Sequence, residues 1–359
     1  MSVFLTGFPG FLGSALVDRL ADRTDEIVCL VQPKYREASE TRAADLFGPD
    51  WRETLTLVEG DITDPALGLS ETTRTDIESR VTTVFHLAAV YDLAVSPEVG
   101  QAVNVDGTRH VLDFAEAADV DRLHYVSTCY VSGRHDGVFT ESDLDVGQSF
   151  NNHYEETKFR AELLVRDRME SGEVPATVYR PAIVVGDSRT GETQKYDGPY
   201  YLIRLLLRQP RVAFVPRLGD PGAAELNVVP RDYVVDAIEH LSGLDRSKNV
   251  TYQLCDPNPL TIRAFTATLL DATGRVGIHV PTPVGLTTSV LRRSDTLRDL
   301  VGVEPETLPY FTHPTRYVGA NARRHLAGTG IEPPAFESYV SRIVEFVREN
   351  PDIRPDAMG

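Results

Sequence analysis

Thr6-Gly7-Phe8-Pro9-Gly10-Phe11-Leu12-Gly13 sets three glycines at regular spacing between two apolar segments. Val3-Phe4-Leu5 before it reads as a strand, and the apolar-periodic stretch from Phe11 to Leu20 reads as a helix. The glycines therefore mark a strand–turn–helix. Gly7 permits the sharp turn, Gly10 lets backbone approach a bound group, and Gly13 lets the helix sit close against the strand. Such a turn points unpaired N–H groups and the positive end of a helix dipole at an anion. The order predicts a dinucleotide pyrophosphate there, held by Thr6, Gly7, Phe8, Pro9, Gly10, Phe11, Leu12 and Gly13.

A chain of 359 residues can bury a large core and divide into two lobes around a cleft. Its 42% hydrophobic and 25% charged residues suit a globular protein. No apolar stretch approaches a membrane span, and the first strand begins almost at Met1, which leaves no room for a signal peptide. The expectation is a cytoplasmic protein. A net charge of −17 repels phosphate backbones and anionic lipid, so the expected partner is a small molecule, with no nucleic acid and no membrane. Cys29, Cys129 and Cys255 are odd in number and widely spaced; they form neither a disulfide framework nor a zinc pattern, and no metal is expected. Cys129 reads as a small buried hydrophobe rather than a reactive thiol.

Short apolar runs alternate with helical patterns through the first half. Strands are predicted at Val3–Thr6, Ile27–Val31, Leu55–Val58, Val84–His86, Leu123–Ser127 and Ala176–Tyr179, and helices at Phe11–Ala21, Arg36–Leu46, Val105–Ala118 and Tyr154–Glu170. The alternation implies an α/β fold, a Rossmann-type doubly wound parallel sheet covered on both faces. Ligands of such sheets sit at the carboxyl ends of the strands. After Arg180-Pro181 the pattern loosens, with helices expected at Pro199–Arg208, Asp232–Leu241, Ile262–Ala272 and Phe336–Asn350. Residues 1–180 are read as the dinucleotide-binding domain and residues 181–359 mainly as a smaller C-terminal substrate-binding lobe, with some later segments returning to the sheet.

Tyr154-Glu155-Glu156-Thr157-Lys158 places a phenol and an ammonium at i and i+4, on one helix face. A free tyrosine titrates near 10, too high for easy proton exchange, and a neighbouring cation is expected to bring it down. Upstream, Tyr125-Val126-Ser127-Thr128-Cys129-Tyr130-Val131-Ser132-Gly133 ends a strand, so its hydroxyls face the same cleft and can polarise a substrate carbonyl. His153 reads as a surface residue and His86 as packing. Tyr91 and Tyr130 are read as cleft lining or as core or rim.

These motifs together resemble those of the extended short-chain dehydrogenase/reductases, from Ser2 to about Asp236. Gly60-Asp61-Ile62 is similar to the family's adenine-contacting element, and His86-Leu87-Ala88-Ala89 to its strand-four motif. Asn104-Val105-Asp106-Gly107-Thr108 resembles the asparagine-bearing helix start, and Arg180-Pro181-Ala182-Ile183-Val184-Val185-Gly186 the segment beside the nicotinamide. The hydroxyl motif, with Asn227-Val228-Val229-Pro230-Arg231-Asp232-Tyr233, looks most like the fatty acyl-CoA and thioester reductase branch. Ala182 stands where a glycine is usual and Arg231 where an apolar residue is usual. The extra C-terminal domain of longer acyl-CoA reductases and the fused adenylation and carrier domains are not found in this sequence.

The resemblance implies Thr128 as catalytic hydroxyl, with Ser127 as the fallback, Tyr154 as general acid, Lys158 gripping the nicotinamide ribose, and Asn104 holding a water that relays protons. It adds Asp61, Ile62, Leu87, Ala88, Ala89, Pro181, Ile183 and Val184 to the cofactor pocket. The second strand ends in Gln32 with no carboxylate, and Lys34 and Arg36 follow, so NADP(H) is expected ahead of NAD(H). The implied reaction is hydride transfer to a carbonyl or acyl thioester; the alternative is a sugar-nucleotide epimerase or dehydratase that recycles NAD. A redox-sensing regulator would need only the glycine loop. In this family the helices over Val105–Ala118 and Tyr154–Glu170 often pair across a homodimer. Leu202, Ile203, Leu205, Leu206 and Leu207 suit an acyl chain or, more simply, burial; Val284–Leu291 carries the same ambiguity.

Overall fold

The computed structural model describes residues 2–217, 220–282 and 305–353. Seven strands make one sheet: β1 (Ser2–Thr6), β2 (Glu26–Val31), β3 (Leu55–Glu59), β4 (Thr83–His86), β5 (Arg122–Val126), β6 (Ala176–Pro181) and β7 (Thr251–Leu254). Their order is β3-β2-β1-β4-β5-β6-β7, and every neighbouring pair is parallel. The order reverses between β1 and β4, which opens the crevice where doubly wound sheets take ligands. Six of these strands are the ones the sequence predicts. β7 is the seventh, and Thr251 and Gln253 break its apolar run although both are buried. Gln253 satisfies its Nε2 by donating to the Phe139 carbonyl at 2.9 Å.

Helices α1 (Phe11–Leu20), α2 (Arg36–Phe47), α3 (Glu71–Glu78), α4 (Pro97–Gly100), α5 (Gly107–Ala117) and α6 (His153–Ser171) belong to the first half. The second half holds α7 (Pro199–Arg208), α8 (Arg231–Ser242), α9 (Ile262–Thr273), α10 (Ala320–Leu326) and α11 (Phe336–Glu349). Alternate residues of β1 explain the layering. Val3 and Leu5 face α1 and α8, packing with Leu16, Val17, Val234 and Ile238. Phe4 faces the other way, toward Val111, Phe114, Ala161 and Val165 of α5 and α6. Both faces are apolar because both are covered. The sheet thus draws β7 and α8 from beyond residue 180. No described helix is long and apolar enough to cross a membrane.

A third core belongs to the smaller lobe, where α7, α9 and α11 pack through Leu202, Ile203, Leu206, Phe265, Leu269, Val340 and Ile343. Leu205 and Leu207 lie against it. The leucines of α7 are therefore spent on this core, the simpler of the two readings. Val284–Leu291 lies outside the described residues.

One ion pair locks α6 to the sheet. Arg180 of β6 and Glu162 of α6 have no exposed side-chain surface. Arg180 donates from Nε and Nη2 to Glu162 Oε1 at 3.0 and 2.7 Å, and Nη2 also reaches the Asp143 carbonyl at 2.7 Å. Burial opposes the Glu162 charge, but Arg180, Arg166 and Ser127 outweigh it and hold its carboxyl below the ordinary value. Glu162→Gln leaves a buried guanidinium without its carboxylate, and urea unfolding should show a loss of about 3–5 kcal/mol. Glu162→Gln combined with Arg180→Met should cost less than Glu162→Gln alone.

Candidate active site

The glycine turn is tight because there is no room for side chains in it. Gly7 has φ 103°, and a Cβ there would lie 2.9 Å from Leu87 and Ala88, on the loop after β4. A Cβ on Gly10 would come within 2.7 Å of the Gly7 carbonyl oxygen, and one on Gly13 would run into the same oxygen. The Gly10 N–H donates to that carbonyl at 2.9 Å. Gly10 is also the N-cap of α1 and brings no side chain to cap it. This backbone-lined cradle at a helix N-terminus fits a dinucleotide pyrophosphate.

Behind the turn runs a buried polar chain. Thr6 Oγ1 accepts from the Ala88 N–H at 3.2 Å and lies 2.7 Å from His86 Nδ1. His86 Nε2 lies 3.0 Å from Thr108 Oγ1, which donates to the Asn104 carbonyl at 2.6 Å. Donors and acceptors match only if His86 carries its proton on Nε2. Burial, assisted by the Lys158 charge, takes His86 down to about 3, so it is neutral here and links elements rather than moving protons.

At the ends of β2 and β3, Gln32 Nε2 donates to Asp61 Oδ2 at 2.6 Å, and Asp61 Oδ1 accepts from the Thr63 N–H at 2.9 Å. Ile62 is buried and its carbonyl meets His110 Nδ1 at 2.8 Å. Lys34 is exposed over the Tyr35 ring. Arg36, expected to face a phosphate, turns back instead: Nε donates to Glu40 at 2.9 Å and Nη1 to the Leu57 carbonyl at 3.1 Å. Arg42 on α2, which the sequence reading missed, has a buried Nε with no hydrogen-bond partner. Leu87, Ala88 and Ala89 follow β4; Pro181 ends β6, and Ile183 and Val184 begin a short strand paired with Val228–Pro230. Parallel strands bring all these positions to one edge of the sheet.

The phenol comes from the first turn of α6. Asn152 caps it by accepting the Glu155 N–H at 3.0 Å, while Glu155 accepts the Asn151 N–H at 2.8 Å. Tyr154, Lys158 and Glu162 then follow at four-residue spacing along the buried stripe. Tyr154 is buried; burial raises its phenol above the ordinary tyrosine value, and a hydrogen bond with the Thr128 side chain pulls the other way. The expectation of a phenol acidified by its lysine is therefore not met in this state. Lys158 itself is taken down to about 7 by burial, with Glu162 opposing. Its Nζ donates to the Val126 carbonyl at 2.9 Å and sits 4.5 Å over the Tyr125 ring.

Of the two strand-end hydroxyls, Ser127 is committed elsewhere: it donates to Glu162 Oε2 at 2.6 Å. Thr128 caps the following turn, accepting the Tyr130 N–H at 3.2 Å, and faces Tyr154. Asn104 lies in a π-helical turn, Gln101–Asp106, between α4 and α5. Its Oδ1 accepts the Val90 N–H at 2.9 Å and its Nδ2 donates to Thr157 Oγ1 at 3.0 Å, so it ties the loop after β4 to α6. Cys129 is fully buried and donates to the Arg180 carbonyl at 3.0 Å; burial raises its thiol, as an inert core residue requires. His153 is half exposed beside Glu156.

Tyr91 packs edge-on against Tyr154 with ring centres 4.9 Å apart, which puts it on the cleft side. Tyr130 belongs to a buried aromatic cluster with Tyr310, His313 and Tyr317. Sequence reasoning missed Lys195 and Asp197. Lys195 Nζ lies 4.1 Å over Tyr91, donates to its carbonyl at 3.1 Å, and stands 3.0 Å from Asp197. Asp197 acts on Tyr154, helping to keep it protonated. The available clue was scarcity: Lys195 is one of only four lysines in the chain.

Residues 5–238 match a family model described as male sterility protein. Among curated proteins, the nonribosomal peptide synthetase asaC of Aspergillus flavus is 28% identical over 275 residues, 72% of this chain and 26% of that protein. The chain thus spans about a quarter of that relative's length. Among solved structures, the terminal R domain of the myxalamid PKS-NRPS pathway superposes with a TM-score of 0.83 at 26% identity, covering 98% of this chain and 92% of that one. A dTDP-glucose 4,6-dehydratase from Streptomyces venezuelae, solved with NAD bound, reaches 0.67 at 24% identity over 98% of each chain, a likeness of fold.

Lys158 gives the site a measurable signature. It titrates at about 7 in the fold and near 10.5 when unperturbed, so between those values the unfolded chain holds the extra proton. Stability contributed by this residue therefore rises with pH from about 7 to 10.5. Urea unfolding at several pH values across that window should show a smaller rise for Lys158→Met than for the natural chain. An equal rise in both would mean that burial does not depress the ammonium.

Proposed function

The chain belongs to the male sterility protein family, within the extended short-chain dehydrogenase/reductases, and from that premise we propose that it is a nicotinamide-dependent reductase of a carbonyl or acyl thioester. The observation that carries the reading is the hydrogen bond between Thr128 and Tyr154, one helical turn from Lys158, whose ammonium is held by the Val126 carbonyl at the carboxyl end of β5. Bound at that end, a reduced nicotinamide would supply hydride to an electrophilic carbonyl carbon. The chain's own residues handle the oxygen. Tyr154, kept protonated by burial, gives its proton to the developing alkoxide. Thr128 donates a hydrogen bond to the same oxygen. Lys158, with burial taking it to about 7, changes protonation near neutrality and can pass a proton to the site. On a thioester, one hydride and one proton leave a hemithioacetal, which expels the thiol to give an aldehyde.

The comparison with the R domain, at the higher TM-score and over nearly the whole chain, supports a reductase ahead of an epimerase or dehydratase. Denaturing the purified protein separates the two readings. A reductase must exchange its cofactor at each turnover, whereas an enzyme that recycles NAD would release it in stoichiometric amount.

NADPH is the proposed cofactor. Gln32 at the end of β2 brings no carboxylate to repel a 2′-phosphate, Lys34 is exposed beside it, and Arg42 holds an unspent guanidinium nitrogen on the helix that follows. Arg36 is excluded from that role by Glu40 and the Leu57 carbonyl.

Two measurements test these assignments. Tyr154→Phe should lower turnover by about a hundredfold or more on an aldehyde or acyl-CoA, with nucleotide affinity nearly unchanged. Near-natural turnover would remove the phenol from the mechanism. Arg42→Ala should weaken NADPH by roughly tenfold and leave NADH where it was, as seen by titrating nucleotide fluorescence.

A further inference from the structure

Arg231 is the first residue of α8, where the family resemblance would place an apolar side chain. It is 7% exposed. Its guanidinium carbon lies 4.9 Å from the centre of the Phe11 ring, and Phe11 opens α1 directly after Gly10 of the turn. Nη1 is buried without a hydrogen-bond partner. Nη2 has two carboxylates nearby, Asp187 at 3.9 Å and Glu192 at 3.6 Å, both too far for a close hydrogen bond. A buried guanidinium with a donor unspent is costly unless an acceptor meets it. The donor lies beside the first turn of a helix whose cap has no side chain, so an anion fits there better than a neutral group.

We propose that Arg231 binds the dinucleotide pyrophosphate from the α8 side, opposite the amides of α1, and that Glu192 is the carboxylate that competes for it. Glu192 is positioned for this. Its side chain is about two-fifths exposed on the loop after residue 186, and it stands between Arg231 and Arg42, 3.9 Å from the latter. The inference rests on the nucleotide-binding reading but not on hydride transfer.

Isothermal titration with NADH and with NADPH tests it, using the natural chain, Arg231→Met, Arg231→Lys and Glu192→Gln. Arg231→Met should weaken both nucleotides by about tenfold or more and by similar factors, since both carry the pyrophosphate. Arg231→Lys should fall between, because an ammonium keeps the charge and loses the fork. Glu192→Gln should tighten both. Unchanged affinity for both nucleotides in a folded Arg231→Met, with only the melting temperature lowered, would make Arg231 a structural ion-pair residue and overturn the proposal. Weakening confined to NADPH would overturn it too, by moving the contact to the 2′-phosphate. If Arg231→Met does not fold, Glu192→Gln decides, and affinity that is unchanged or weaker in that variant overturns the proposal. A natural chain that binds both nucleotides yet reduces no substrate would count against the proposed reaction and leave this inference standing.

Discussion

The arrangement depends on a carboxylate and a guanidinium that never meet water. Glu162 and Arg180 join α6 to β6, and Ser127, at the end of β5, closes the group by donating to Glu162. Lys158 and Tyr154 lie one and two turns back along the same buried stripe of α6. A rotation of α6 that moved the phenol would therefore have to break a fully buried ion pair. The pair also decides between neighbouring hydroxyls. By occupying Ser127 it leaves Thr128 to face the phenol.

Burial then sets the chemistry of the groups so placed. Desolvation penalises whichever form is charged, so it raises a phenol and lowers an amine. Tyr154 moves up and Lys158 moves down to about 7, and both move toward neutrality. A neutral phenol is the form that can donate a proton. An amine near 7 can gain or lose one at little cost. His86, equally buried, goes the same way and is left as a fixed link between Thr6 and Thr108. The same physical cause acts on all three, and the difference lies in what each side chain touches.

Much of this was legible in the sequence because it depends on spacing. The glycine turn, six sheet strands and the four-residue interval between Tyr154 and Lys158 are local patterns, and periodicity reports them directly. β7 was not legible, since Thr251 and Gln253 look like surface residues, although both are buried and the Phe139 carbonyl accepts from Gln253. The direction of the Tyr154 shift was misjudged for a related reason. Proximity along a helix is visible in sequence, whereas burial, which dominates here, is a property of the packed fold. Arg36 and Arg42 show the same limit. Both are arginines on α2, and only their tertiary partners separate the one held by Glu40 from the one with a nitrogen to spare. The π-helical turn that carries Asn104 has no local signature, because its Val90 and Thr157 partners come from elsewhere in the chain.

The smaller lobe reaches both ends of the cleft through one stretch of chain. Asp187 and Glu192 approach Arg231 beside the glycine turn, and Lys195 and Asp197 approach Tyr91 and Tyr154. Ser188, next to Asp187, is tied to Asp232 on α8 by two hydrogen bonds, at 2.9 and 2.6 Å. Gly186 donates to the Tyr200 hydroxyl at 2.8 Å, which anchors the stretch to α7. The start of the segment is thus pinned to both α7 and α8. Residues 187–197 thus carry acidic groups to two places, Asp187 and Glu192 to the Arg231 guanidinium and Asp197 to the Tyr154 phenol, so one loop sets the negative charge at both.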